Sequence, residues 1–400
     1  MTLENNLVYT HRRVKVIEGW EKAMEKYEME KCRITPDWDP WDAWYTRSEK
    51  GKYELTSVEL TVTNLCNLRC EHCAVGEQLV EKDGIPIPID FILNRLDEIE
   101  TLQTISITGG EPILSPKVVK ETIIPLLKYA KSRGIYTQIN SNLTLPLSRY
   151  EDWIEDVDVL HISYNYRHAE DFYRMAFGNF RKEVSFEVAK SLFERMKENA
   201  RTLSKAGIFV SAESFLSPFT APYIVDMHQT IQEMGCKRHE VHPLYPSDFA
   251  KGMSLLTLQE YREAIIHLLD HRHPDLWILL GTLPFFPCSN QDEDLTLWKR
   301  IFVDESNVTA RQDPDGRNRL NVNVFTGDVV VTDFGDIPVL GNIYKDSLTE
   351  VFERWLAHPV AHKYHCYCQQ ARCTGPNILV AQTYYPDWVF KERKALITLD

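Results

Sequence analysis

Between residues 57 and 242 the chain repeats one theme, a short β-branched run followed by an amphipathic helical stretch. That rhythm builds βα units, and consecutive βα units build a parallel sheet with helices against its faces. Strands are predicted at 57–63, 104–108, 135–139, 157–163, 208–214 and 238–242. Helical periodicity is clearest in Val188, Leu192, Phe193, Met196, Ala200 and Leu203, and two helical stretches stop at Gly134 and Gly207, as C-caps prefer. Pro125 inside the second stretch predicts a kink or a later start. Six units without a clear seventh and eighth predict an α/β fold, a partial (β/α)6 TIM-like barrel that stays open. In such sheets chemistry collects where the strands end.

At 400 residues and 44% hydrophobic composition the chain can bury one large barrel plus further structure, which excludes disorder and a minimal disulfide-stapled fold. A net charge of −13 opposes docking on nucleic acid or anionic lipid, so a peptide or small molecule is the expected partner. No stretch approaches the roughly 20 apolar residues of a membrane helix; 277–287 is too short and is interrupted by Pro284. Residues 1–15 carry His11, Arg12, Arg13 and Lys15 with no apolar run behind them, and the chain reads as cytoplasmic. Nine cysteines in that compartment point to metal or catalysis, because thiols there stay reduced.

The first predicted strand runs into Cys66, Cys70, His72 and Cys73. Three thiolates within eight positions can converge on one inorganic centre, and soft sulfur favours zinc or iron–sulfur. Structural zinc takes four protein ligands, and no second CxxC lies nearby. Three cysteines on a 4Fe-4S cluster would leave one iron open to an exogenous ligand. The second strand ends in Gly109-Gly110-Glu111-Pro112, where two glycines allow close main-chain approach and a carboxylate suits an ammonium group.

Cys-x3-Cys-x2-Cys after the first barrel strand, followed one βα unit later by Gly-Gly-Glu-Pro, resembles the radical S-adenosylmethionine (SAM) superfamily. The resemblance implies that Cys66, Cys70 and Cys73 hold a 4Fe-4S cluster and that Gly109, Gly110 and Glu111 contact the methionine amino group of SAM. It also implies that His72 stands where an aromatic is usual, and that Ser141, Asn142, Ser163 and Asn165, at the third and fourth strand ends, contact carboxylate or ribose. A polar residue at a strand end can equally cap the next helix, which keeps a local role open for Ser163 and Asn165.

The last third changes texture. Residues 320–333 alternate around Thr326-Gly327-Asp328 and predict a β-hairpin, and Ser347 with Glu350 forms a capping-box helix start. Cys366, Cys368 and Cys373 follow in a loop. This order resembles the SPASM or twitch auxiliary-cluster regions of radical SAM enzymes, with departures: Thr332 stands at a cysteine position, and the terminal pattern is Cys-x-Cys-x4-Cys. The whole resembles the YfkAB-type radical SAM/CxCxxxxC family. It implies one auxiliary 4Fe-4S cluster, for which Cys288 is the remaining cysteine near the junction. Cys288 as a catalytic hydrogen-donating thiol, and a zinc site at the terminal cysteines with His365, are the competing readings; Cys32 and Cys236 read as core residues.

His168, His242, Tyr245 and Glu213 are acid–base or binding candidates by their place at the mouth. Residues 1–52, with Trp20, Trp38, Trp41 and Trp44, form an expected extension packing on the barrel, 53–285 the barrel, and 286–400 the auxiliary region. The expectation is an enzyme that cleaves SAM reductively to a 5′-deoxyadenosyl radical, takes hydrogen from a peptide or small molecule, and draws electrons from a donor such as flavodoxin or ferredoxin. The alternative is a non-catalytic iron–sulfur electron carrier or redox sensor.

Overall fold

A computed structural model describes residues 33–180, 183–332 and 337–399. Eight strands run parallel in sequence order: β1 (Ser57–Thr63), β2 (Thr104–Gly109), β3 (Tyr136–Ser141), β4 (Val159–Ser163), β5 (Val210–Leu216), β6 (Arg238–Pro243), β7 (Trp277–Gly281) and β8 (Val308–Arg311). The six expected strands are present, and β7 and β8 continue the same sheet. Helices Ile89–Asp97, Ile124–Arg133, Phe186–Lys205 and Ile224–Glu233 cover its outer face. Gly134 and Gly207 follow helices with φ of 71° and 82°. Pro125 sits in the first turn of Ile124–Arg133, directly after a π-helical turn, Val119–Ile123, that removes the need for its missing N–H. Between β3 and β4 there are only 3-10 turns in place of a helix.

The alternation along the strands explains the open lumen. Val58, Leu60 and Val62, Ile105 and Ile107, Leu160 and Ile162 are buried on the helix side. Their neighbours Glu59, Thr61, Thr108, Gln138, Asn140 and His161 face the central cavity. A closed eight-stranded barrel fills its interior with branched apolar residues; this one is polar inside and keeps a cavity of about 320 Å³.

Residues 33–50 pack against the N-terminal ends of the strands. Trp41 is 1% exposed and donates Nε1–H to Ser106 Oγ on β2 at 3.0 Å, Asp39 pairs with Arg311 at 2.6 Å, and Arg33 pairs with Asp158 at 2.7 Å. Trp20 and Cys32 lie outside the described residues.

The barrel does not close. β9 (Arg319–Asn323) joins β1 in parallel on the opposite edge, and β10 (Asp328–Val330) and β11 (Gly341–Asn342) extend it antiparallel. The predicted hairpin is β9–β10, with Gly327 at φ 76°. Between β8 and β9 two arginines stand where a ladder would be. Arg311 meets Asp39 and Glu240, and Arg319 meets Asp315 at 2.7 Å and Glu59 at 3.3 Å. The capping box at Ser347 starts helix Leu348–Leu356, whose Trp355 is buried and donates to the Gly316 carbonyl at 2.7 Å.

Candidate active site

The cavity opens at the C-terminal ends of the strands, and Cys66, Cys70 and Cys73 all line it. Their loop is tied at its base: Val80 N–H donates to the Asn64 carbonyl at 3.0 Å and Asn64 N–H to Asp83 at 2.8 Å. Burial pushes the Cys66 thiol up to about 12, with the Glu111 carboxylate adding to it, and burial holds Cys70 and Cys73 above the usual thiol range as well. Without metal these sulfurs stay protonated, and a bound iron cluster would deprotonate them. Among the described residues no three His, Cys, Asp or Glu side chains close on a single ion.

Gly109 and Gly110 line the cavity, and both are required by a close approach of main chain to main chain. A Cβ on Gly109 (φ 141°) would lie 2.1 Å from the Thr63 carbonyl, and one on Gly110 2.2 Å from that of Leu65. The segment hydrogen-bonds to the cysteine loop, Gly110 N–H to Thr63 O at 2.8 Å and Glu111 N–H to Leu65 O at 2.7 Å. Glu111 itself differs from the expectation of a direct ligand contact. It is fully buried outside the cavity lining, and its carboxylate accepts from Ser141 Oγ at 2.9 Å and Asn142 N–H at 2.7 Å. Burial lifts it to about 7. Asn142 donates in turn to Asn67 of the cysteine loop at 2.9 Å. Glu111 therefore locks the β3 end to the loop; Ser141 and Asn142 line the cavity with these side-chain bonds already made.

On the facing wall Glu213 receives two imidazoles, His161 Nε2 at 2.5 Å and His242 Nε2 at 2.8 Å. Burial opposes its charge, yet the two histidines hold it well below the carboxylate range. His242 Nδ1 also donates to the Pro243 carbonyl at 2.7 Å. Both acceptors are oxygens without a hydrogen to give, so His242 carries two protons. Its ring stacks on Tyr245 at 5.2 Å. His161 donates from Nε2 and keeps Nδ1 buried without a partner. His72 lines the cavity too, held neutral by burial at about 4, with its Nδ1 also unpartnered. Asn165 accepts from Phe215 N–H at 2.9 Å and approaches His72, and Ser163 lines the same wall. Both Nδ1 atoms are closed off from the cavity, and it is the residues as a whole, His72 and His161 beside the three cysteines, that make this wall polar.

A second cysteine group lies away from this cavity. Cys288 interacts electrostatically with Cys368, and Cys366 and Cys373 each with both Cys288 and Cys368, so four thiols from two distant segments share one neighbourhood. Cys368 and Cys373 exchange backbone hydrogen bonds at 2.9 and 3.2 Å, which folds the Cys-x4-Cys loop back on itself. Burial raises Cys366 to about 12.

Residues 60–231 match the radical SAM superfamily and residues 244–395 the YfkB-like domain. The protein YfkA of Bacillus subtilis (strain 168) is 52% identical over 363 residues, covering 90% of this chain and 97% of its own. The chain belongs to the radical SAM superfamily. Its fold is similar to that of solved superfamily structures. Streptococcus suis SuiB bound to S-adenosylmethionine aligns at a TM-score of 0.59 and 13% identity over 86% of this chain and 78% of that one. Native anSMEcpe with bound AdoMet and Cp18Cys peptide aligns at 0.53 and 16%, over 81% and 89%.

Within this radical SAM barrel one of the mouth candidates, His168, is displaced. His168 is half exposed, pairs with Glu170 at 3.1 Å, and stands outside the cavity lining at the N-cap of helix Ala169–Ala176. Cys288 is buried near the C-terminal cysteines and does not line the cavity, which removes the reading of a thiol facing substrate there. Cys236 is buried, as expected. The sequence reading missed His161, Glu240, Arg311 and Arg319. The signal available was strand alternation, which puts a histidine two residues before Ser163 on the same face. No helix among the described residues is long and apolar enough to cross a membrane.

Proposed function

We propose that this radical SAM protein is an enzyme that modifies a peptide or small molecule, with Cys66, Cys70 and Cys73 holding a 4Fe-4S cluster. When bound and reduced, that cluster supplies the electron that splits SAM into methionine and a 5′-deoxyadenosyl radical, which takes hydrogen from substrate. Gly109 and Gly110 form the floor beside it, Glu111 positions Ser141 and Asn142, and His72, Ser163 and Asn165 present polar atoms to SAM. His161, Glu213 and the His242 cation form a fixed polar wall for substrate, with Glu213 holding both rings. Tyr245 backs His242. One observation carries the reading: the three cysteines, the two glycines and the His161–Glu213–His242 group share one cavity. Peptide as substrate is supported by SuiB and anSMEcpe, whose structures hold peptides.

Cys288, Cys366, Cys368 and Cys373 hold a second 4Fe-4S cluster, which takes four thiolates. The barrel sheet takes in β8 beyond the expected boundary at 285, so residues 286–400 contribute to both the barrel and the auxiliary region of a cytoplasmic enzyme reduced by a flavodoxin or ferredoxin. The test is anaerobic iron and sulfide content with 5′-deoxyadenosine release, in wild type and in a Cys66→Ala/Cys70→Ala/Cys73→Ala variant. About eight irons falling to about four, with SAM cleavage lost, is the expected result. Iron without SAM cleavage in wild type would leave the electron-carrier reading in its place.

A further inference from the structure

Three arginines lie close together in sequence, and one of them lacks an acid. Arg311 meets Asp39 and Glu240, and Arg319 meets Glu59 and Asp315. Arg317, 1% exposed, meets only backbone carbonyls: Thr374 at 2.7 Å, Tyr364 at 3.2 Å and Pro376 at 2.6 Å. Its Nη1 is buried without a partner, and among the described residues no carboxylate comes within ion-pair distance of it. Carbonyls solvate a guanidinium but do not neutralise it, and an uncompensated buried charge is strongly destabilising. The missing anion has an address. Tyr364, Thr374 and Pro376 flank Cys366 and Cys373, and a Cβ on Gly375 would lie 2.8 Å from Cys366 Sγ and 3.1 Å from Arg317 Nη2. Guanidinium and thiol thus meet over the same glycine.

A second arginine stands at Cys288. Arg393 donates to the Cys288 carbonyl at 2.8 Å and to Asn290 Oδ1 at 3.4 Å, and lies over Trp388 at 3.6 Å, also without an acid. It is more exposed than Arg317.

We propose that Arg317, with Arg393 as the weaker partner, is the counter-charge of an anionic thiolate-bound iron–sulfur centre at Cys288, Cys366, Cys368 and Cys373, and that it raises the reduction potential of that centre. This rests on the second-cluster reading above. Reduction adds negative charge, and a fixed cation in a low-dielectric site favours the reduced form. Arg317 is a positioning residue that tunes the centre towards accepting an electron.

The experiment is a redox titration followed by EPR on the full-length Cys66→Ala/Cys70→Ala/Cys73→Ala protein, which isolates the C-terminal centre. Arg317→Gln is expected to lower the reduced-to-oxidised ratio at fixed potential at least tenfold, about 59 mV for one electron. Arg393→Gln lowers it less, because solvent screens its charge. Arg317→Lys keeps the potential and loses thermal stability, since an ammonium cannot span three carbonyls. Iron present with an unmoved potential in both glutamine variants overturns the counter-charge while leaving the cluster standing. No iron in the parent triple variant overturns the second-cluster reading and this inference with it. If Arg317→Gln loses its iron, Arg317→Lys decides: iron regained at the wild-type potential supports the charge, and iron not regained makes Arg317 a structural staple only.

Discussion

His242 Nε2 lies 2.8 Å from Glu213 Oε1 while Nδ1 of the same ring meets the Pro243 carbonyl at 2.7 Å, and the ring can satisfy both only as an imidazolium. Burial works against that charge, but Glu213 overrides it and holds His242 above the usual 6.5. The stabilisation His242 brings is complete below about pH 6.5 and is lost as pH rises through its folded value. Glu213 is held below the usual 4.5, so its share is complete above about pH 4.5 and is lost as pH falls through its own folded value. Thermal melting against pH should therefore show the pair at full strength between about 4.5 and 6.5. Glu213→Gln should flatten that dependence and cost about 3–5 kcal/mol, as removal of one partner of a buried pair does.

Glu111 behaves in the opposite sense. Its carboxyl is raised to about 7, so the buried group favours folding below about pH 4.5 and loses that contribution as pH climbs to 7. Glu111→Ala leaves Ser141 Oγ and Asn142 N–H without their acceptor and should cost about 1–3 kcal/mol by urea denaturation. It should also weaken SAM binding measured by equilibrium dialysis, through the released β3 end. Undiminished binding would show that the β3 end holds its place without the carboxylate.

Gly109→Ala is expected to be worse than any polar change nearby. The new Cβ would overlap the Thr63 carbonyl at a φ of 141° that side chains avoid. A loss of about 4 kcal/mol or more, or failure to accumulate folded protein, is expected; a Tm within a few degrees of wild type would contradict this packing.

The metal-free thiols offer a separate check. Burial holds Cys66 and Cys366 near 12, so at pH 8 very little of either is thiolate. Iodoacetamide should label them slowly in folded, iron-free protein and quickly in urea, as followed by peptide mass analysis. Fast labelling of the folded protein would mean that the loops open without metal.

Much of the barrel was legible because its signals are local. Six strands, the Gly134 and Gly207 stops, the Gly327 hairpin and the Ser347 capping box each depend on residues a few positions apart. β7 and β8 were not, since Trp277–Gly281 and Val308–Arg311 are short runs, although helices Leu258–Asp270 and Asp292–Lys299 precede them. His168 misled because a histidine in the loop after a strand looks the same in sequence whether its side chain enters the cavity or, as here at a helix N-cap, pairs with Glu170 in the open.

By itself the sequence determined the order of βα units, the cysteine loop after the first strand and the paired glycines after the second. These are patterns of spacing, and spacing along the chain sets local geometry directly. Only the tertiary structure decided which charges meet. Glu213 finds His161 and His242 across neighbouring strands, Arg311 reaches back to Asp39 to stand in for a missing ladder, and Cys288 arrives beside Cys366, Cys368 and Cys373. The protonation of each of these groups follows from burial and from partners distant in sequence, quantities that exist only once the chain has folded.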